Sequence, residues 1–141
     1  MGFFDKLRGS SNTDLSPRAA MLLACISMIA ADGSIDDDEI SIVYRIDGEG
    51  ETAAFDKAIR AWKTVSSPTE CIALVVPHLD EQQQRFTLAN LVDIAMADGV
   101  LAGREKALLE RYLQAFDLEA SFVEAVADVI SVKNDRSPFK Y

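Results

Sequence analysis

The chain has 141 residues, of which 49% are hydrophobic, and it carries a net charge of −9 with a pI near 4.5. That length and apolar content support one domain with its own core and exclude a disordered chain. The acidic balance argues against phosphate-backbone binding, which needs clustered Lys and Arg, and fits a protein that attracts cations.

The start, Met1-Gly2-Phe3-Phe4-Asp5-Lys6-Leu7, holds no long apolar leader segment. It misses the myristoylation pattern because Lys6 stands where Ser or Thr is required. The longest apolar run, residues 21–31 with Ser27 inside, is too short to span a bilayer, so a cytoplasmic location is expected by elimination. Residues 1–15 read as a loosely held arm. Its Phe3, Phe4 and Leu7 can form one amphipathic turn, of a kind that more often docks on its own domain than on a membrane.

Ser16-Pro17 supplies an N-cap followed by proline at the first helical position, and the spacing predicts a helix to Asp32, stopped by Gly33. Asp36 and Glu39 have capping-box spacing and open a second helix with Ile40, Val43, Tyr44 and Ile46 on its apolar side; residues 47–50, Asp-Gly-Glu-Gly, break it. Phe55, Ile59, Trp62 and Val65 mark a third helix, and Phe55, Ile59 and Trp62 are expected in the core. Ser67-Pro68-Thr69-Glu70 caps a helix over 68–76 that stops near Pro77. Asp80 with Gln83 starts the next, which runs through Phe86, Leu88, Leu91, Val92 and Ala95 towards Gly99. Residues 104–116 are helical with Leu108, Leu109, Tyr112 and Leu113 on one side; residues 118–132 form a last helix using Phe122, Val126, Val129 and Ile130. Leu74-Val75-Val76 is the one β-like cluster, and it falls inside a capped helical window. The expected fold is therefore all-α, a compact bundle of about seven or eight helices, with a single domain over 16–132 and a polar tail over 133–141.

Cys25 and Cys71 lie inside apolar stretches and read as reduced core thiols. His78, the only histidine, sits at a helix break, which suits a surface or capping residue and excludes a multi-histidine zinc site. No nucleophile elbow, P-loop or dinucleotide fingerprint is present.

One signature occurs twice, 66 residues apart: Ala31-Asp32-Gly33-Ser34-Ile35-Asp36-Asp37-Asp38-Glu39 and Ala97-Asp98-Gly99-Val100-Leu101-Ala102-Gly103-Arg104-Glu105. Both read A-D-G-x-[I/L]-x-x-x-E at a corner between two helical stretches. Laying residues 22–46 over 88–112 also matches Leu22 with Leu88 and Arg45 with Arg111, and keeps apolar phase on both sides. Two helix-corner-helix units related by a pseudo-two-fold are expected. Asp32 and Asp98 fall at helix C-terminal ends, where the helix dipole disfavours a carboxylate by a few tenths to ~1 kcal/mol. A local rule broken at both equivalent places marks strain or function.

Two readings follow. In one, the acids are structural: each Asp accepts backbone N–H groups of the next turn, and each Glu caps its helix or pairs with Arg45 or Arg111. In the other, Asp32, Glu39, Asp98 and Glu105 converge across the pseudo-two-fold and hold a hard divalent cation, Ca²⁺ or Mg²⁺, with Asp36 adding charge. A standard EF-hand is excluded: with Gly33 or Gly99 at loop position 6, positions 1 and 3 are Met28 and Ala30, or Ile94 and Met96, which cannot ligate through their side chains.

The paired corners in a small acidic helical chain, with Phe3-Phe4-Asp5-Lys6 at its start, resemble the TerB tellurite-resistance family over residues 17–130. The resemblance implies a helical domain of two similar halves. It also implies a non-enzymatic part in resistance to tellurite and other stresses, as a component of cytoplasmic or membrane-associated assemblies with a link to metal ions. The family's acidic positions correspond to Asp32, Glu39, Asp98 and Glu105, while Ala102, Gly103 and Arg104 depart from its more acidic pattern, which favours the first corner or a shared site. The expectation is a stress-response module that acts through a protein partner, with no nucleic acid and no transmembrane segment. The alternatives are a purely structural helical scaffold and, least favoured, a metal-dependent hydrolase.

Overall fold

A computed structural model of the chain describes residues 15–32, 52–97 and 103–139. Helix α1 spans Pro17–Ile29 and tightens into a 3-10 turn, Ala30–Asp32. It starts where the Ser16 hydroxyl accepts the Ala19 N–H at 3.1 Å, with Pro17 in the first turn. Helix α2 is Thr52–Thr64 and α3 is Pro68–Val75, the latter capped by Ser67, which accepts the Glu70 N–H at 3.1 Å. A 3-10 turn over Val76–His78 ends in the His78 Nδ1, which donates to the Leu74 carbonyl at 2.9 Å, so the lone histidine caps a helix C-terminus. Cap chemistry thus overrides the β-like Leu74-Val75-Val76.

Helix α4 is Glu81–Ala95 and begins in a full capping box: Gln83 N–H donates to the Asp80 carboxylate at 2.8 Å, and Asp80 N–H to the Gln83 side chain at 2.9 Å. Helix α5 is Gly103–Ala115 and α6 is Ala120–Asn134, followed by a 3-10 turn at Ser137–Phe139. Six α-helices and no strand occur among the described residues. The helix expected after Asp36 lies outside them.

Two residues among those described adopt positive φ, and one of them, Gly103, departs from the family's acidic pattern. Gly103 opens α5 at φ 64°, a conformation L side chains rarely adopt, although a Cβ there would meet nothing within 4 Å. Its missing acidic side chain is a backbone requirement, not a space requirement. Asp117 closes α5 at φ 55°, and Leu118 N–H reaches back to the Leu113 carbonyl at 3.2 Å, a six-to-one closure with Asp in glycine's place.

The core forms around α1. Every residue from Ala19 to Ile29 is buried, because α2, α3, α4 and α5 all pack on this helix. Its apolar residues therefore need no single face, and each fully buried Leu or Ile contributes ~1.5–3 kcal/mol. Phe55 joins the core, with Ile59, Trp62 and Val65 packed against it. Helix α6 lies on α4 and buries Ile130 alone, so α6 is an outer layer. It continues two residues beyond the expected end at Val132, because Asn134 is tied inward.

Candidate functional site

The site is built from helix ends. The 3-10 turn that closes α1 ends at Asp32 and packs against α5, whose first turn carries Glu105. The structure thus brings the way into the first corner against the helix that leaves the second. Asp32 is placed by its backbone as the last residue of that turn, and Glu105 is half-buried and engaged. Asp36, Glu39 and Asp98 lie outside the described residues. Among the described residues no group of three or more His, Cys, Asp or Glu is placed to hold a metal.

The second corner is fastened from an unexpected side. Asn134, in the last turn of α6, donates its side-chain N–H to the Met96 carbonyl at 3.2 Å, at the end of α4 and just before Ala97-Asp98-Gly99. Around this bond Met96, Ser131, Asn134 and Asp135 line a crevice of about 220 Å³. Asp135 accepts the Ser137 N–H at 3.0 Å, and that bond holds its carboxyl below the usual range. Sequence reading had placed Asn134 and Asp135 in the tail. The available signal was an Asn two residues past the last apolar position of α6, a common helix-end residue.

Of the two arginines matched by the repeat, Arg111 is described, and its guanidinium donates to the Thr69 hydroxyl at the start of α3. Other charged contacts lie at the surface. Arg85 grips Glu119 through two bonds at 3.1 and 3.3 Å and stacks over the Phe122 ring at 5.1 Å; the guanidinium keeps the Glu119 carboxyl below its usual range. Lys133 and Asp93 join α6 to α4 at 3.4 Å.

Inside the bundle a polar chain crosses three helices. The Ser27 hydroxyl donates to the Ala24 carbonyl at 2.6 Å and lies 2.7 Å from the Tyr112 hydroxyl, which is 3.8 Å from the Cys71 sulfur. Each hydroxyl has one proton to give. The arrangement that satisfies all of them runs from Cys71 S–H to Tyr112, from Tyr112 to Ser27 and from Ser27 to Ala24. Tyr112 is wholly buried, and burial pushes its hydroxyl well above the ordinary value. Burial also raises the Cys71 thiol and pushes Cys25 up to about 12. These groups are neutral fasteners and not nucleophiles, since a reactive thiol needs a lowered pKa and access. Sequence reading counted Tyr112 as an apolar position and did not pair it with Ser27.

The family model described as "Tellurite resistance protein TerB" matches residues 18–128, and the chain belongs to that family. Neither a curated protein nor a solved structure matches it. Among the described residues no helix is long and apolar enough to cross a membrane.

Proposed function

We propose that this TerB domain acts without catalysis in a tellurite- and stress-response assembly of the cytoplasm, binding a partner protein and a divalent cation at its duplicated acidic corners. The observation that carries the reading is the contact between the turn ending at Asp32 and the helix carrying Glu105. Adjoining corners can pool Asp32, Glu39, Asp98 and Glu105 in one shared site, with Asp36 adding charge. The donor set fits Ca²⁺ or Mg²⁺ and does not fit zinc. The chain's one imidazole, His78, is engaged with the Leu74 carbonyl, and both thiols are buried in the core. A bound cation would neutralise the carboxylates and fix the angle between the two helix-corner-helix units, which is how a cation would control a partner surface.

The test is thermal unfolding in EDTA and then in millimolar Ca²⁺, Mg²⁺ or Zn²⁺. A ligand of the native state at 100-fold over its Kd adds about 2.7 kcal/mol. The expected outcome is a rise of several degrees with Ca²⁺ or Mg²⁺ that vanishes in the Asp32→Asn, Asp98→Asn double variant. No rise with any ion would reduce the acids to capping groups. In that case Asp→Ala at each position lowers stability by ~1 kcal/mol and changes no ion response.

A further inference from the structure

We propose that the chain's own N-terminal arm, through Phe3, Phe4 and Leu7, docks in a groove between the first turns of α1 and α4. The groove encloses about 370 Å³ and is lined by Pro17, Arg18, Met21, Leu79, Phe86 and Thr87, with two glutamines at its rim. Phe86 lines the groove and is 53% exposed, a large apolar ring out of keeping with open solvent. An occupant that brings apolar side chains would cover it.

The chain itself supplies that occupant. The described chain begins at Leu15, which is buried, and Pro17 and Arg18 two and three residues on line the groove, so the tether point lies beside it. Leu7 to Leu15 is eight residues, a reach of at most ~28 Å fully extended, which spans the groove with slack. A tether this short holds its end at roughly millimolar effective concentration, so weak apolar contacts suffice. Phe3 and Leu7 are four residues apart and share one face of a helical turn with Phe4 beside them. Asp5 and Asp14 balance Lys6 and Arg8, so the arm is neutral and the net charge of −9 lies on the rest of the chain. No charge repulsion opposes its return.

The experiment uses amide NMR on the full chain and on a variant lacking residues 2–10. Deletion is expected to shift the amides of Met21, Phe86 and Thr87. A synthetic peptide of residues 1–10, added to the deletion variant, is expected to move them back saturably, while the full chain, its groove filled, binds at least tenfold less peptide. Phe86→Glu in the deletion variant is expected to abolish peptide binding with helicity and Tm retained. The proposal is overturned if the peptide leaves the groove amides unmoved, or if full chain and deletion variant bind it equally. Dimerisation of the full chain alone would assign the groove to a second copy's arm. Groove amides indifferent to deletion, with arm resonances lost on anionic vesicles, would assign the arm to a membrane.

Discussion

Helices α1 and α4 are matched by the repeat yet live in different surroundings. α1 is buried without a break from Ala19 to Ile29, whereas α4 buries Thr87, Leu88, Leu91, Val92 and Ala95 and leaves the rest half-buried or exposed. The equivalent positions Ser27 and Asp93 show the consequence. Ser27 is sealed inside and shares its proton within a buried chain, while Asp93 faces outward and meets Lys133. A repeated pattern transmits the helix and its corner; the number of helices packed around each copy decides which polar groups it tolerates.

Exchanging those residues should expose the difference most strongly. Ser27→Asp places an unpaired carboxylate in the core and should cost ~3–5 kcal/mol in urea unfolding, as broken buried ion pairs do. The reciprocal Asp93→Ser removes a partly exposed pair and should cost no more than ~1 kcal/mol. Near-equal losses would break the comparison. Leu22 and Leu88 sharpen it, since they are equivalent and both fully buried. Alanine at either should cost ~2–5 kcal/mol, with similar values if the repeat governs packing at that level.

Smaller effects probe the buried polar chain. Tyr112→Phe should cost about 1 kcal/mol, and the double variant with Ser27→Ala should cost less than the two single changes added, because no hydroxyl is then stranded. Alkali acts on the same region. Cys25 is held near 12 in the fold against an ordinary value of 9.0. Its contribution to stability is therefore complete below pH 9.0 and is lost as pH rises towards 12. Tyr112, also raised, adds to the upper part of that decline from its ordinary value of 10.0 upward. Cys25→Ala should flatten the fall in Tm between those limits, and an unchanged slope would remove Cys25 as a cause.

The helices were legible because their ends are written in short-range chemistry. Ser16-Pro17, Ser67-Pro68 and Asp80 with Gln83 each mark a start to within a residue or two. The burial of α1 was less so, since an apolar run records only that a helix can be buried on all sides, not which neighbours surround it. The candidate site could be drawn from the sequence as two acidic corners. That the Asp32 turn lies on α5 could not be, because contacts across 70 or so residues leave no local signature. Asn134 was hidden for the same reason: a polar residue near a chain's end looks frayed until its distant acceptor, the Met96 carbonyl, is known. Gly103 was read as a lost acid and is a backbone requirement.

Both sulfhydryls of this chain are sealed in the bundle and held protonated. In a family named for tellurite resistance that placement bears on durability. An oxidising oxyanion consumes thiols through their accessible thiolates. In this fold both thiols, Cys25 and Cys71, are buried and present no accessible thiolate.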